Sequence, residues 1–259
     1  MSSFCRPRIL NQPGAVSRVP VLVVGSLLLP AVWLTLKCAL SVSDRYLPAP
    51  SQVFGALSEI EPNVMVHVAY TSFRLVVGFV GGVFAGVALG IALSKSKTAA
   101  GLVQPVLGAM RSVPPIAIIP FFLLWFGFSE IGRFLLVLTG IAFNIAVSTC
   151  QVLQDVPEKH KILFKSFGKK ESDMTLQYQL PMLLETLLPT VRFSLSTAMG
   201  VVIASELLGS QIGLGYLMQT ARNTFSMHVI FLATILLGVM NAVMDFGLVQ
   251  CWKRATFWR

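Results

Sequence analysis

The stretch Tyr70-Thr-Ser-Phe-Arg-Leu-Val-Val-Gly-Phe-Val-Gly-Gly-Val-Phe-Ala-Gly-Val-Ala-Leu-Gly-Ile-Ala-Leu-Ser94 runs for 25 residues with Arg74 as its one charge. A helix rises 1.5 Å per residue, so this length covers more than the roughly 30 Å of a bilayer's hydrocarbon core. The stretch lacks the apolar–polar alternation of a barrel strand, and lipid offers backbone groups no hydrogen-bond partner. It is therefore predicted to be a membrane-spanning helix. Within it Gly78, Gly82, Gly86 and Gly90 recur at every fourth position, beside Gly81. A stripe of bare backbone lets a second helix approach closely. Packing inside the subunit is the expected use, and a face between two copies is the alternative. Arg74, near the end of the run, is expected to snorkel to the headgroups.

Outward from this run, five further apolar stretches have spanning length: about 19–42, 102–126, 133–153, 182–208 and 227–252. The fold class is thus all-α, a polytopic membrane protein of about six transmembrane helices. One transmembrane domain over 19–252 is expected between short tails at 1–18 and 253–259. Composition agrees: 55% of residues are hydrophobic and 12% charged, about half the charged share of soluble domains. The net charge of +9 does not point to nucleic acid, because the basic residues punctuate the ends of apolar runs instead of clustering with stacking aromatics. That is the pattern of topology control.

Arg6, Arg8, Arg18, Lys95, Lys97, Arg111, Lys159, Lys161, Lys165, Lys169, Lys170, Lys253, Arg254 and Arg259 fall on one side of such a topology, and only Arg45, Arg133 and Arg222 on the other. Both termini and the fourth-to-fifth connection are accordingly expected in the cytoplasm. The first run is longer than a signal-peptide core and lacks a small-x-small cleavage site, so it is expected to be retained. Cys5, Cys38, Cys150 and Cys251 are far apart and mostly in or beside apolar runs, which reads as free thiols.

Three runs carry unusual residues. Arg111-Ser-Val-Pro-Pro-Ile-Ala-Ile-Ile-Pro120 places Pro114, Pro115 and Pro120 in a membrane-length segment. Broken backbone at that depth survives only when buried in protein or lining a cavity, so this is either a packed kink or a wall of a solute path. The fifth run holds Arg192 and Glu206, 14 positions apart. At about 21 Å along a helix they cannot pair with each other. Either each reaches the headgroups at its own end, or they are candidate residues of a translocation path. Asn241 and Asp245 share a face of the last run at i, i+4, expected near its cytoplasmic end, and Asn144, Ser148 and Thr149 offer helix-to-helix hydrogen bonds in the fourth.

Catalytic signatures are missing. His67, His160 and His228 have no companions at metal-ligand spacing. Gly127-Phe-Ser-Glu-Ile-Gly-Arg133 lacks the Lys-Ser/Thr of a phosphate loop. No bound cofactor or metal is expected on this chain.

Between the fourth and fifth runs lies a charged island, Glu158 to Pro181, within a loop of about 155–181. Leu163, Phe164 and Phe167 fall on one edge of a short helix, and Gly168 fits its end. A second short helix should follow, with Pro181 opening the next run. Nine residues separate Gly168 from Tyr178, which is followed by Gln179 and Leu180-Pro181. This register resembles the cytoplasmic Glu-Ala-Ala loop of importer-type ATP-binding-cassette permeases, although Ile162, Leu163 and Phe164 stand where the Glu-Ala-Ala itself would be.

Other segments resemble the nitrate, sulfonate, taurine and bicarbonate group of these permeases. They are Leu47-Pro-Ala-Pro-Ser-Gln-Val53, Phe121 to Gly127 ending in Trp-Phe-Gly, Leu188 to Leu195, Ala204 to Gly209, and Gly213-Leu-Gly-Tyr216. Together they cover about Leu47 to Tyr216.

The resemblance implies a type I importer permease fold and a multi-pass location in the cell inner membrane. It implies a path for a small solute, in the group an anion such as nitrate, sulfonate, taurine or bicarbonate. It also implies partners: a second copy of the permease, two cytoplasmic ATPase subunits that carry the ATP and Mg, and a periplasmic or lipid-anchored solute-binding protein. Leu163, Phe164, Phe167, Gly168, Leu180 and Pro181 would form the ATPase contact, docking by shape and apolar burial in the absence of the acidic residue. The competing reading is a secondary transporter or channel working without an ATPase. That class calls for inverted repeats or midplane coupling-ion sites, and no convincing repeat is seen.

Overall fold

A computed structural model of the chain describes residues 28, 30–37, 39, 43–61, 63–156, 162, 166, 167 and 178–256. Of the expected first span, residues 30–37 are helical. The elements that follow are α1 (Pro50–Gly55), a 3-10 turn (Ala56–Ser58), α2 (Val64–Ser94), α3 (Lys97–Ser112), α4 (Pro115–Phe126), α5 (Glu130–Gln154), α6 (Leu180–Gly209), α7 (Leu214–Asn223) and α8 (Met227–Ala255). No strand occurs among the described residues.

The Leu-Pro-x-Pro segment starts α1 for a local reason. Pro50 sits in the first turn, where its missing N–H costs nothing, and the Gln52 side chain accepts the Ala49 N–H at 3.1 Å. Val53 and Ala56 then pack fully buried against Leu232 of α8.

Four helices, α2, α5, α6 and α8, are long and apolar enough to cross a membrane. The third expected run is not one straight helix. It is α3 and α4, bent by 93° at the Val113-Pro114 break. Pro115 cannot donate a hydrogen bond into the preceding turn, and the Pro114 ring holds Val113 extended at φ −78°, ψ 121°. Counting the bent pair once, the described residues offer up to five candidate spans by length and composition.

The glycine stripe of α2 meets α5 inside the subunit, which decides between the two uses open from sequence. A Cβ on Gly78 would lie 2.7 Å from Val137 Cβ, one on Gly82 2.5 Å from Ile141 Cγ1, and one on Gly90 2.5 Å from Thr149 Cβ. Gly81, off the stripe, would meet only the tip of Leu138 at 3.4 Å. Around this seam α6 closes the core, with Leu75, Phe79, Ile141, Leu187, Val191 and Val202 in one buried cluster. Of the polar residues noted in α5, Asn144 donates to Ser194 of α6 at 3.4 Å, while buried Thr149 takes part by packing against Gly90.

At the end of the bundle nearest the α5–α6 connection, the Trp252 indole N–H of α8 donates to the Leu184 carbonyl of α6 at 2.7 Å. Trp252→Phe should keep most of the packing and lose this bond. We expect an unfolding free energy lower by about 1 kcal/mol, visible as a reduced thermal midpoint of the detergent-solubilised protein.

Candidate functional site

Among the described residues, two charged constellations stand out in the bundle, one closed around the buried Arg74–Glu206 pair and one open. The closed one lies at the end away from the α5–α6 connection, where the first third of α2, the start of α5, the end of α6 and the start of α7 meet. Arg74 is its centre. Its guanidinium donates to Glu206 Oε1 at 2.8 Å and to the Ile212 carbonyl at 2.6 Å, and grips Glu130 through Nε at 2.8 Å and Nη2 at 2.5 Å. Arg133, one helical turn along α5, donates to the same Glu130 at 2.6 Å and to the Gly209 carbonyl that ends α6.

Glu206 is further satisfied by the Thr71 hydroxyl at 3.0 Å and the Gly215 N–H at 2.9 Å. Thr71 in turn accepts from the Leu214 N–H at 2.9 Å, and His67 accepts the Gly213 N–H at 3.1 Å while stacking on Tyr216.

The Arg74 side chain is 3% exposed and that of Glu206 0%. The expected snorkelling of Arg74 is thus corrected. Two carboxylates from other helices come within reach and hold it inside. The same contacts explain the Gly213-Leu-Gly-Tyr216 motif. Gly213 has φ 138°, ψ 166°, a conformation only glycine adopts readily. A Cβ there would collide with the Glu206 carboxylate, and one on Gly215 would lie 2.7 Å from Glu206 Cβ. Two arginines against two glutamates leave no net charge, so this arrangement clamps four helices and presents no free electrophile or base.

The open constellation is Arg192 of α6 with Asp245 of α8, a bidentate pair at 2.7 and 2.6 Å. Pro189, Phe193, Ser196 and Asn241 line the groove around it, which has a volume of about 490 Å³. The side chains are 49% and 31% exposed. From a rise of 1.5 Å per residue, Arg192 lies about 4 Å from the midpoint of α6, and Asp245 about 6 Å from that of α8. Arg192 therefore meets a carboxylate at mid-length instead of reaching for a headgroup. Each charge facing lipid at such depth would cost about 2.5–3.5 kcal/mol on insertion scales, so the groove calls for water or protein against it.

The remaining sequence candidates fall as follows. Pro114 and Pro115 form the α3–α4 elbow, and a Cβ on Gly140 of α5 would meet the Pro115 ring at 3.1 Å. Pro120 lies inside α4, next to Ile119, which is fully buried. Leu180 and Pro181 open α6, and Phe167 is 72% exposed. Leu163, Phe164 and Gly168 lie outside the described residues. No group of three potential metal ligands occurs among the described residues. Glu130 and Arg133 are the functional-looking pair that sequence reading passed over. Their signal was two charges opening an apolar run.

Residues 78–250 match the family described as the binding-protein-dependent transport system inner membrane component. The chain belongs to this family. It is similar to the taurine transport system permease protein TauC of Escherichia coli (strain K12), 27% identical over 94% of this chain and 91% of that protein. It is also similar to the putative aliphatic sulfonates transport permease protein SsuC of Bacillus subtilis (strain 168), 28% identical over 90% of this chain and 87% of that one. Among solved structures, the MetNI methionine ABC transporter in an inward-facing conformation shares the fold. The TM-score is 0.56 at 21% identity, covering 74% of this chain and 98% of that chain.

The chain is thus the membrane-spanning permease subunit of an ATP-binding-cassette importer, with the type I importer permease fold. It is a transporter subunit and not an enzyme, and the ATPase of such systems is a separate subunit. It is a multi-pass inner-membrane protein that works with an ATPase and a solute-binding protein.

Proposed function

We propose that this permease forms the translocation path for a small sulfonate-bearing solute, with taurine the first candidate. Two copies would enclose the path, and two ATPase subunits, holding ATP and Mg, would grip the 155–181 loops. A solute-binding protein would deliver the solute from the other side. The observation that carries this reading is the near full-length likeness to permeases named for taurine and for aliphatic sulfonates.

The Lys and Arg distribution supports a cytoplasmic location for both termini and for the loop. Exposed Phe167 and Ile162 support docking by apolar burial, with Leu163, Phe164 and Gly168 completing the contact and Leu180-Pro181 passing the push into α6. Coupling would be mechanical: closure of the ATPases favours one arrangement of the spans, and hydrolysis releases it.

The test is uptake by proteoliposomes holding the permease, its ATPase and its binding protein. ATP-dependent uptake of taurine is expected. Leu163→Asp/Phe167→Asp should reduce it at least tenfold and strip the ATPase from the purified complex. Uptake by the permease alone, without ATP, would overturn the reading in favour of a secondary transporter.

A further inference from the structure

We propose that Arg192 and Asp245 form a receiving site in the path for a small zwitterion, the sulfonate taken by Arg192 and the ammonium by Asp245. This deepens the reading of the chain as a permease for sulfonate-bearing solutes and rests on it.

Four observations converge. The first is depth: the pair sits near the middle of two membrane-length helices, where lipid is a poor neighbour for charge. The second is openness. The bundle encloses the Arg74–Glu206 pair completely, yet leaves the Arg192 and Asp245 side chains 49% and 31% exposed in a groove of about 490 Å³. Small-molecule sites typically occupy about 300–1,000 Å³.

The third is the set of polar handles beside the pair. Asn241, one turn before Asp245, carries a shielded amide oxygen that has no hydrogen-bond partner among the described residues. Asn241 lines the same groove as Asp245, and a turn of its amide would bring this acceptor to an ammonium group. Ser196 lies one turn after Arg192 and offers a hydroxyl to an anionic oxygen.

The fourth is charge balance. The guanidinium already holds two oxygens of Asp245 in a fork, and two oxygens of a sulfonate can take the same place. A simple anion that did so would strand the Asp245 carboxylate between two membrane-length helices. A zwitterion supplies its own cation to that carboxylate, so the occupied groove remains neutral. The solute would divide the pair between its two ends.

The experiment uses the complete transporter with its ATPase and binding protein, and taurine as the probe. Arg192→Gln, Asp245→Asn and the double variant R192Q/D245N should each lower ATP-driven taurine uptake at least tenfold, while the complex still purifies as one species. Uptake within threefold of the original in the double variant would overturn the proposal, since the pair would then serve only to cancel charge. Loss in Arg192→Gln with retention in Asp245→Asn would also overturn it, leaving an anion site without a zwitterion preference. Dissociation of the complex in the double variant would place the pair in a subunit contact instead. A transporter that hydrolyses ATP yet carries no taurine even before substitution would sink the substrate reading above, and this site with it.

Discussion

Replacing Arg74 with alanine should destabilise the permease by about 3–5 kcal/mol, the usual cost of removing one partner from a buried ion pair. The Glu206 side chain is 0% exposed, so water cannot take the place of the lost guanidinium. Only the Thr71 hydroxyl and the Gly215 N–H would remain on the carboxylate. Glu130 would lose its strongest contact, and the Ile212 carbonyl one of its two donors, the Ser210 hydroxyl remaining. Because these groups come from α2, α5, α6 and the start of α7, the damage should spread across one end of the bundle.

Apolar replacement of both partners, Arg74→Met with Glu206→Met, should recover part of the loss, since a buried pair is often matched by well-packed apolar side chains. Thermal unfolding and the monodisperse fraction after detergent extraction measure both variants. An Arg74→Ala protein within 1 kcal/mol of the original would show that the cluster does not hold the helices together.

That cluster was the part of the molecule least legible in the sequence. The glycine stripe and the prolines act through their own backbone, so their spacing alone announces a close helix approach and a break. Charges act through partners, and here the partners are remote in the chain. Glu130 lies 56 positions and Glu206 132 positions from Arg74, and Asp245 lies 53 from Arg192. A run read by itself reveals only that a charge is rare there, and snorkelling is then as good an account as pairing. Counting along α6 could rule out an Arg192–Glu206 pair, but it could not find the helix that supplies each partner. The elbow shows a similar division: Pro114 and Pro115 made a break legible, whereas its 93° angle depends on α4 packing against α5. The likeness of Gly213-Leu-Gly-Tyr216 to a family pattern was visible at once, but its physical cause, a cradle for Glu206, needed the fold.

Enlarging the seam between α2 and α5 should have the second large effect. Gly90→Leu is expected to cost about 3 kcal/mol, at the upper end of overpacking penalties. The reason lies in what a side chain would strike. At Gly90 the Cβ alone would come within 2.5 Å of Thr149 Cβ and 2.7 Å of the Ala146 carbonyl oxygen, and at Gly86 within 2.7 Å of the Ala142 carbonyl oxygen. Backbone atoms of a packed helix cannot rotate aside as the end of a leucine can, so the two helices must separate. Their separation would open the apolar seam and disturb the register that brings Arg74 to Glu130.

Glycine is a poor helix former, so alanine gains about 1 kcal/mol in propensity wherever space allows. This supplies the control. Gly81→Ala, whose Cβ meets only Leu138 Cδ1 at 3.4 Å, should leave the thermal midpoint unchanged or raise it, while Gly90→Ala lowers it. If both substitutions raised the midpoint alike, propensity would outweigh packing, and the every-fourth-residue glycines would not set the distance between α2 and α5.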